Sequence, residues 1–137
     1  MESTAAKRRF QGTYSAEPVQ VGCARRALAQ ALSGHPSAAG ATLIVSEFAT
    51  NAVLHSASGN GGKFTLHAEI YPTSVRIAVA DAGGPWRLAR HDDGRPHGLD
   101  VAEAVAGPGN WGICGDDTGR IAWATIGTDA RGMEATT

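Results

Sequence analysis

From Leu43 to Leu54 the chain is apolar almost all the way round a helix, through Leu43, Ile44, Val45, Phe48, Ala49, Ala52, Val53 and Leu54. Ser37 is placed to cap this helix, which ends before Gly59-Asn60-Gly61-Gly62. Upstream, Val21, Ala24, Leu28 and Leu32 form an apolar stripe, with Gln20, Arg25, Arg26 and Gln30 outside it. Ser15-Ala16-Glu17-Pro18 starts that helix and Gly34-His35-Pro36 stops it. Phe10 to Tyr14 alternates weakly and reads as a short first strand. Phe64, Leu66, Ala68 and Ile70 alternate cleanly with Thr65, His67, Glu69 and Tyr71, the pattern of a strand with one solvated face. Pro72-Thr73 turns the chain, and Val75, Ile77 and Val79 continue as the partner strand. Asp81 to His97 has no period. Gly98 to Val105 reads as a short helix ended by Gly107-Pro108-Gly109. Trp111 to Cys114 and Arg120 to Ile126 form a last hairpin around Asp116-Asp117-Thr118-Gly119. This order predicts an α+β two-layer sandwich, with helices on one face of a mixed, mostly antiparallel sheet. Residues 1–8 and 128–137 read as flexible tails around one domain, 9–127.

Composition narrows the class. The 137 residues suit one domain, and 42% hydrophobic against 18% charged residues indicates a globular chain. A formal net charge of -1 gives no field for nucleic acid or an anionic membrane. No run is long and apolar enough to span a bilayer, and the MESTAAKRR start lacks a signal peptide's apolar core, so a cytoplasmic protein is expected. Cys23 and Cys114 fit no metal spacing and read as two buried thiols, with a disulfide between them as the alternative.

Chemistry enters with Glu47 and Asn51. Four residues apart, they share one face of an otherwise apolar helix. An amide oxygen is a hard neutral ligand suited to Mg²⁺, and a carboxylate one turn away can orient or deprotonate a hydroxyl. The plainer reading is a solvated Glu and a surface Asn. His55 continues the row as a further binding candidate, with a polar contact inside the protein as its alternative. Asp81, at a strand end before Gly83-Gly84-Pro85, can accept a hydrogen bond from an exocyclic amine such as that of adenine. A simple turn explains the same residues. His97-Gly98-Leu99 opens a helix whose free N–H groups favour a phosphate, and Arg87, Arg90 and Arg95 precede it. An ordinary loop with solvated arginines is the alternative there. Trp86, Trp111 and Trp123 read as core or loop anchors. P-loop, eukaryotic-type kinase and G-x-S-x-G signatures are absent.

Order and separation carry more than any single signal. S-E-x-x-T-N-A-V-x-H-S, a hairpin, D-A-G-G-P-W, a variable loop and H-G-L opening a helix together resemble the histidine-kinase-type ATPase (GHKL, or Bergerat) domain. Within it, the chain is similar to the short anti-sigma-factor serine kinases, in the style of actinobacterial ATP-binding regulators. The resemblance spans roughly Phe10 to Ile126. It implies ATP and Mg²⁺ as ligands, Asn51 as the metal ligand and Glu47 as the general base. Asp81 would read adenine, beside Gly83 and Gly84. His97, Gly98 and Leu99 would meet the phosphates, and residues 86–97 would form the lid. It implies a serine/threonine protein kinase that phosphorylates an anti-sigma antagonist (STAS-type) and sequesters a sigma factor, in a family that commonly dimerises. The alternative is a non-catalytic regulatory binding module of the same fold, either ATP-binding or nucleotide-free. The chain departs from the family in Pro96, which removes one N–H, in Gly84-Pro85, and in Asp100 inside the phosphate helix. A sensor histidine kinase would need an acceptor-bearing helical hairpin, and only one short helix precedes Ser46.

Overall fold

The computed structural model describes residues 8–55, 62–82, 98–116 and 119–127. Within them the chain runs β1 (Arg8–Ser15), α1 (Pro18–Ala31), α2 (Ala38–His55), β2 (Lys63–Ile70), β3 (Ser74–Asp81), α3 (Gly98–Ala106), β4 (Trp111–Asp116) and β5 (Gly119–Gly127). The strands form one five-stranded sheet in the order β1-β2-β3-β5-β4. All its ladders are antiparallel, so the sheet is wholly antiparallel rather than mixed. The connection between β3 and β5 passes through α3 and β4, which lets β4 sit at the edge and β5 pair inside it. The α+β sandwich expected from the element order is otherwise present.

Strand alternation divides the sheet into two faces. Phe64, Leu66, Ala68 and Ile70 of β2, Val75, Ile77 and Val79 of β3, and Ala122, Ala124 and Ile126 of β5 are buried on the helix side. The other face carries His67, Glu69, Arg76 and Trp123, with the Arg76 guanidinium 4.7 Å from the Trp123 ring centre. The two tryptophans of the last hairpin therefore differ. Trp123 lies on the open face, whereas Trp111 packs at the core margin and donates Nε1–H to Glu103 Oε1 at 2.7 Å.

Pro18 opens α1 at its first turn, after an extended Glu17 (φ -129, ψ 148) whose side chain makes no cap bond. Arg8, expected in the N-terminal tail, belongs to β1, and its Nη2 donates to Ala31 O at the end of α1. Ser37, expected to cap α2, instead donates Oγ–H to Thr73 O in the β2–β3 turn. His35 adds a second tie. Its Nδ1 accepts from Ser37 N–H at 2.9 Å, and its Nε2 bonds Tyr71 O at 2.7 Å. The backbone N–H can only donate, so the imidazole proton is on Nε2.

Helix α2 buries Ala41, Ile44, Val45, Phe48, Ala49 and Ala52. It is less enclosed than its composition suggests, since Leu43 is 45% exposed and Leu54 63% exposed. The sheet covers one side of it and α1 and α3 its flanks, and a two-layer fold has no third layer for the remaining stripe. Both cysteines are free. Cys23 is half-buried and Cys114 is exposed on β4, where burial was expected.

Candidate functional site

Two tethers fix how the candidate residues lie relative to one another. The Ser37–Thr73 bond pins the start of α2 to the start of β3. From there α2 rises about 21 Å to Asn51 at 1.5 Å per residue. Over the same span β3 rises roughly 23 Å from Ser74 to Asp81 at 3.3 Å per residue. Because α2 packs on β3, Asn51 and the strand end are about level.

The second tether is Gly40. A Cβ there would lie 3.0 Å from Val105 Cγ1 and 3.2 Å from Ile126 Cγ2, so glycine lets the C-terminal end of α3 approach the first turn of α2. Counting back along α3 from Val105 to Gly98 covers about 10 Å, the same rise that separates Gly40 from Glu47. The start of α3 is thus about level with Glu47. At about 100° per residue, Gly40, Glu47 and Asn51 fall within roughly 40° of one another, so the two polar residues sit on the α3-facing flank of α2. Both are half-buried. Asp81 is half-buried as well, and in phase with Val79 it faces the helix layer.

Counted on these ideal rises, Glu47, Asn51, Asp81 and the first turn of α3 fall at the same end of the sandwich. Gly98 and Leu99 form that first turn, followed by an exposed Asp100. His55 is the last residue of α2, and its side chain lies outside the described residues. Gly83, Gly84, His97 and the expected lid 86–97 also lie outside them. Among the described residues, two surface grooves lie on the α1 side. One runs along Cys23, Arg26, Gln30 and Ser33, and the other lies between Pro18, Val21, Arg25 and Leu54.

Sequence reasoning does not single out Arg120. It is the register partner of Asp81 on β5, half-buried and in phase with the buried Ala122, Ala124 and Ile126. That phase is the signal: a charged residue where the strand otherwise shows only alanine and isoleucine to the helices.

The family model for the histidine kinase-like ATPase domain matches residues 14–114. The chain belongs to the histidine kinase-like ATPase domain family. As a domain of that kind it binds nucleotide. Among solved structures it is similar to the RsbU and RsbW domains of Rv1364c from Mycobacterium tuberculosis, with a TM-score of 0.67 and 25% identity. The match covers 88% of this chain and 32% of that one, so this chain spans about a third of the solved chain it resembles. No curated protein matches it. Among the described residues, no helix is long and apolar enough to cross a membrane.

The donor set fits a magnesium nucleotide. No group of three or more His, Cys, Asp or Glu side chains among the described residues could hold a metal ion by itself. Mg²⁺ needs no such cage: it keeps several waters and takes one or two protein oxygens beside the phosphates. One half-buried amide next to a helix start meets that need.

Proposed function

We propose that this domain binds Mg-ATP between α2, the end of β3 and the start of α3, and transfers the terminal phosphoryl group to a serine or threonine of an anti-sigma antagonist. Asp81 accepts the exocyclic amine of adenine. The Asn51 amide oxygen and the free N–H groups that open α3 hold the metal-bound phosphates. Glu47 orients the acceptor hydroxyl and takes its proton while the oxygen bonds to the phosphorus and ADP departs. When bound, Mg²⁺ held by Asn51 would supply charge neutralisation on the phosphates. Its partners in this reading are a STAS-type antagonist, which it phosphorylates, and a sigma factor, which it sequesters. A homodimer and a cytoplasmic location belong to the same reading.

What supports the reading is that ideal helix and strand rises, counted from the Ser37–Thr73 bond and from Gly40, give Asn51, Asp81 and the start of α3 a common level. Likeness to a structure that includes an RsbW domain supports the partner class. The test is Asn51→Ala, assayed by incorporation of labelled phosphate into the cognate antagonist. Losing the metal ligand should reduce transfer by about 10² or more, and unchanged incorporation would sink the assignment.

Asp100 favours a second reading. In the first turn of α3 its carboxylate competes with a triphosphate for the same helix start. The domain would then hold nucleotide and partner without transferring phosphate. Calorimetric titration with Mg-ATP followed by a single-turnover assay separates the two readings: binding without chemistry selects the module.

A further inference from the structure

The last rung of the β3–β5 ladder pairs Asp81 with Arg120. Everywhere else the helix-facing rows of these two strands hold Val75, Ile77 and Val79 against Ile126, Ala124 and Ala122, all buried. Charge enters the rows only at this rung, and it enters as an acid opposite a base. Directly opposed residues of an antiparallel ladder have Cβ atoms about 5 Å apart, within reach of a guanidinium. Arg120 is not a solvated side chain swinging free, because its Nη1 is shut away from solvent. Its backbone is held from the other side by β4. Gly115, with φ +127, is the register partner of Arg120, and a Cβ there would lie 2.6 Å from Arg120 Cα. The close approach possible only for glycine clamps the start of β5 where it faces the end of β3.

We infer that Arg120 is a positioning residue for base recognition: its guanidinium engages the Asp81 carboxylate across the ladder and fixes the orientation in which Asp81 accepts an aminopurine's amine. The inference rests on the nucleotide-binding reading above. A carboxylate offers about four acceptor positions. A forked guanidinium occupies two of them and leaves the outward pair for a donor from the ligand. Without the fork the aspartate rotates about its own side-chain bonds, and the base must order it on binding. The pair also sets selectivity. Guanine presents an oxygen where adenine presents its amine, and an ionised Asp81 repels that oxygen. A guanidinium held by Asp81 is not available to donate to it.

The test compares wild type with Arg120→Met and Arg120→Lys, using three probes in isothermal titration: Mg-ATP, adenosine and inorganic tripolyphosphate. Adenosine reads the base half of the site and tripolyphosphate the phosphate half. Thermal unfolding checks that each variant folds. Arg120→Met should bind adenosine and Mg-ATP about tenfold more weakly, bind tripolyphosphate as wild type does, and discriminate less between ATP and GTP. Arg120→Lys keeps the charge and packing of the stem but not the fork, so it should fold normally and still lose adenosine affinity. If Arg120→Met fails to fold, Arg120→Lys carries the same comparison. Equal losses for adenosine and tripolyphosphate, or none for either, overturn the assignment. Wild-type protein that binds neither ATP nor tripolyphosphate overturns the nucleotide-site reading itself, before any variant is compared.

Discussion

Replacing His35 with alanine removes two hydrogen bonds at once, from Ser37 N–H to Nδ1 and from Nε2–H to Tyr71 O. The ring is half-buried, and its loss leaves both backbone partners to find water. At about 0.5–1.5 kcal/mol net for each bond, the expected loss of stability is about 1–3 kcal/mol. For a chain of this length that corresponds to a fall in Tm of roughly 3–10 °C. Urea titration followed by circular dichroism is the assay, and the midpoint should drop with little change in slope. Two further variants divide the effect. An asparagine oxygen can stand in for Nδ1 and a glutamine amide for Nε2, so His35→Asn and His35→Gln should each recover about half the loss. The functional readout follows from position. His35 and Ser37 together seat α2 on the β2–β3 turn, and that seat sets the height of Asn51 relative to Asp81. Nucleotide affinity should therefore fall in His35→Ala even at temperatures where the protein stays folded. Stability of His35→Ala within about 0.5 kcal/mol of wild type would refute the reasoning. So would Asn and Gln variants no better than alanine, because the loss would then not be one of hydrogen bonding.

Gly115→Ala should destabilise by at least about 2 kcal/mol, from an unfavourable positive φ plus collision with the Gly119 carbonyl; a thermal melt at or above wild type would contradict this. The same variant should weaken adenosine binding, since the collision falls on the residue next to Arg120. Alkaline stability is set in part by Tyr14 and Tyr71. Burial raises the Tyr14 hydroxyl above 10.0, with Cys23 nearby adding to it, and burial followed by Glu69 raises Tyr71. A raised folded value means the native state holds its proton longer than the unfolded chain. Stability is thus full below 10.0 and is lost as pH climbs through the raised folded values. Tyr14→Phe and Tyr71→Phe should each flatten that decline in denaturant titrations above about pH 10, and an unaltered slope in the double variant would exclude these hydroxyls as the cause.

Much of the fold was legible because its signals are local. The period-two runs Phe64 to Tyr71 and Val75 to Val79, with Pro72-Thr73 between them, are a hairpin in the sequence and in the structure. Pro18 marks the first turn of α1 in both. Glu47 and Asn51 stood out because their spacing lies within one helix, where a single period decides which residues are neighbours. What was missed depends on which distant segments meet. Ser37 looked like a cap because serine before a helix usually is one, yet the β2–β3 turn competes for its hydroxyl and wins. Leu43 and Leu54 looked buried because apolarity was counted without knowing that the sandwich has only two layers. His35 carried no visible motif, because both its partners are backbone atoms and backbone atoms leave no trace in composition. Arg120 became the neighbour of Asp81 only through strand register, which no local window contains.

The pairing of β1 with β2 has a consequence for how the chain assembles. β2–β3 and β4–β5 are hairpins whose ends meet early, on the order of microseconds for such units. β1 must instead wait for the whole stretch from Ser15 to Lys63, both long helices included, to be drawn into a closed loop. The topology therefore makes the amino-terminal strand a late arrival on a sheet already formed. None of Glu47, Asn51, Asp81 or the start of α3 lies on that strand, so a transient that has not yet docked it already has the elements of the proposed nucleotide site in place. Pulse-labelled amide exchange would register this as protection of β3 and α2 ahead of β1.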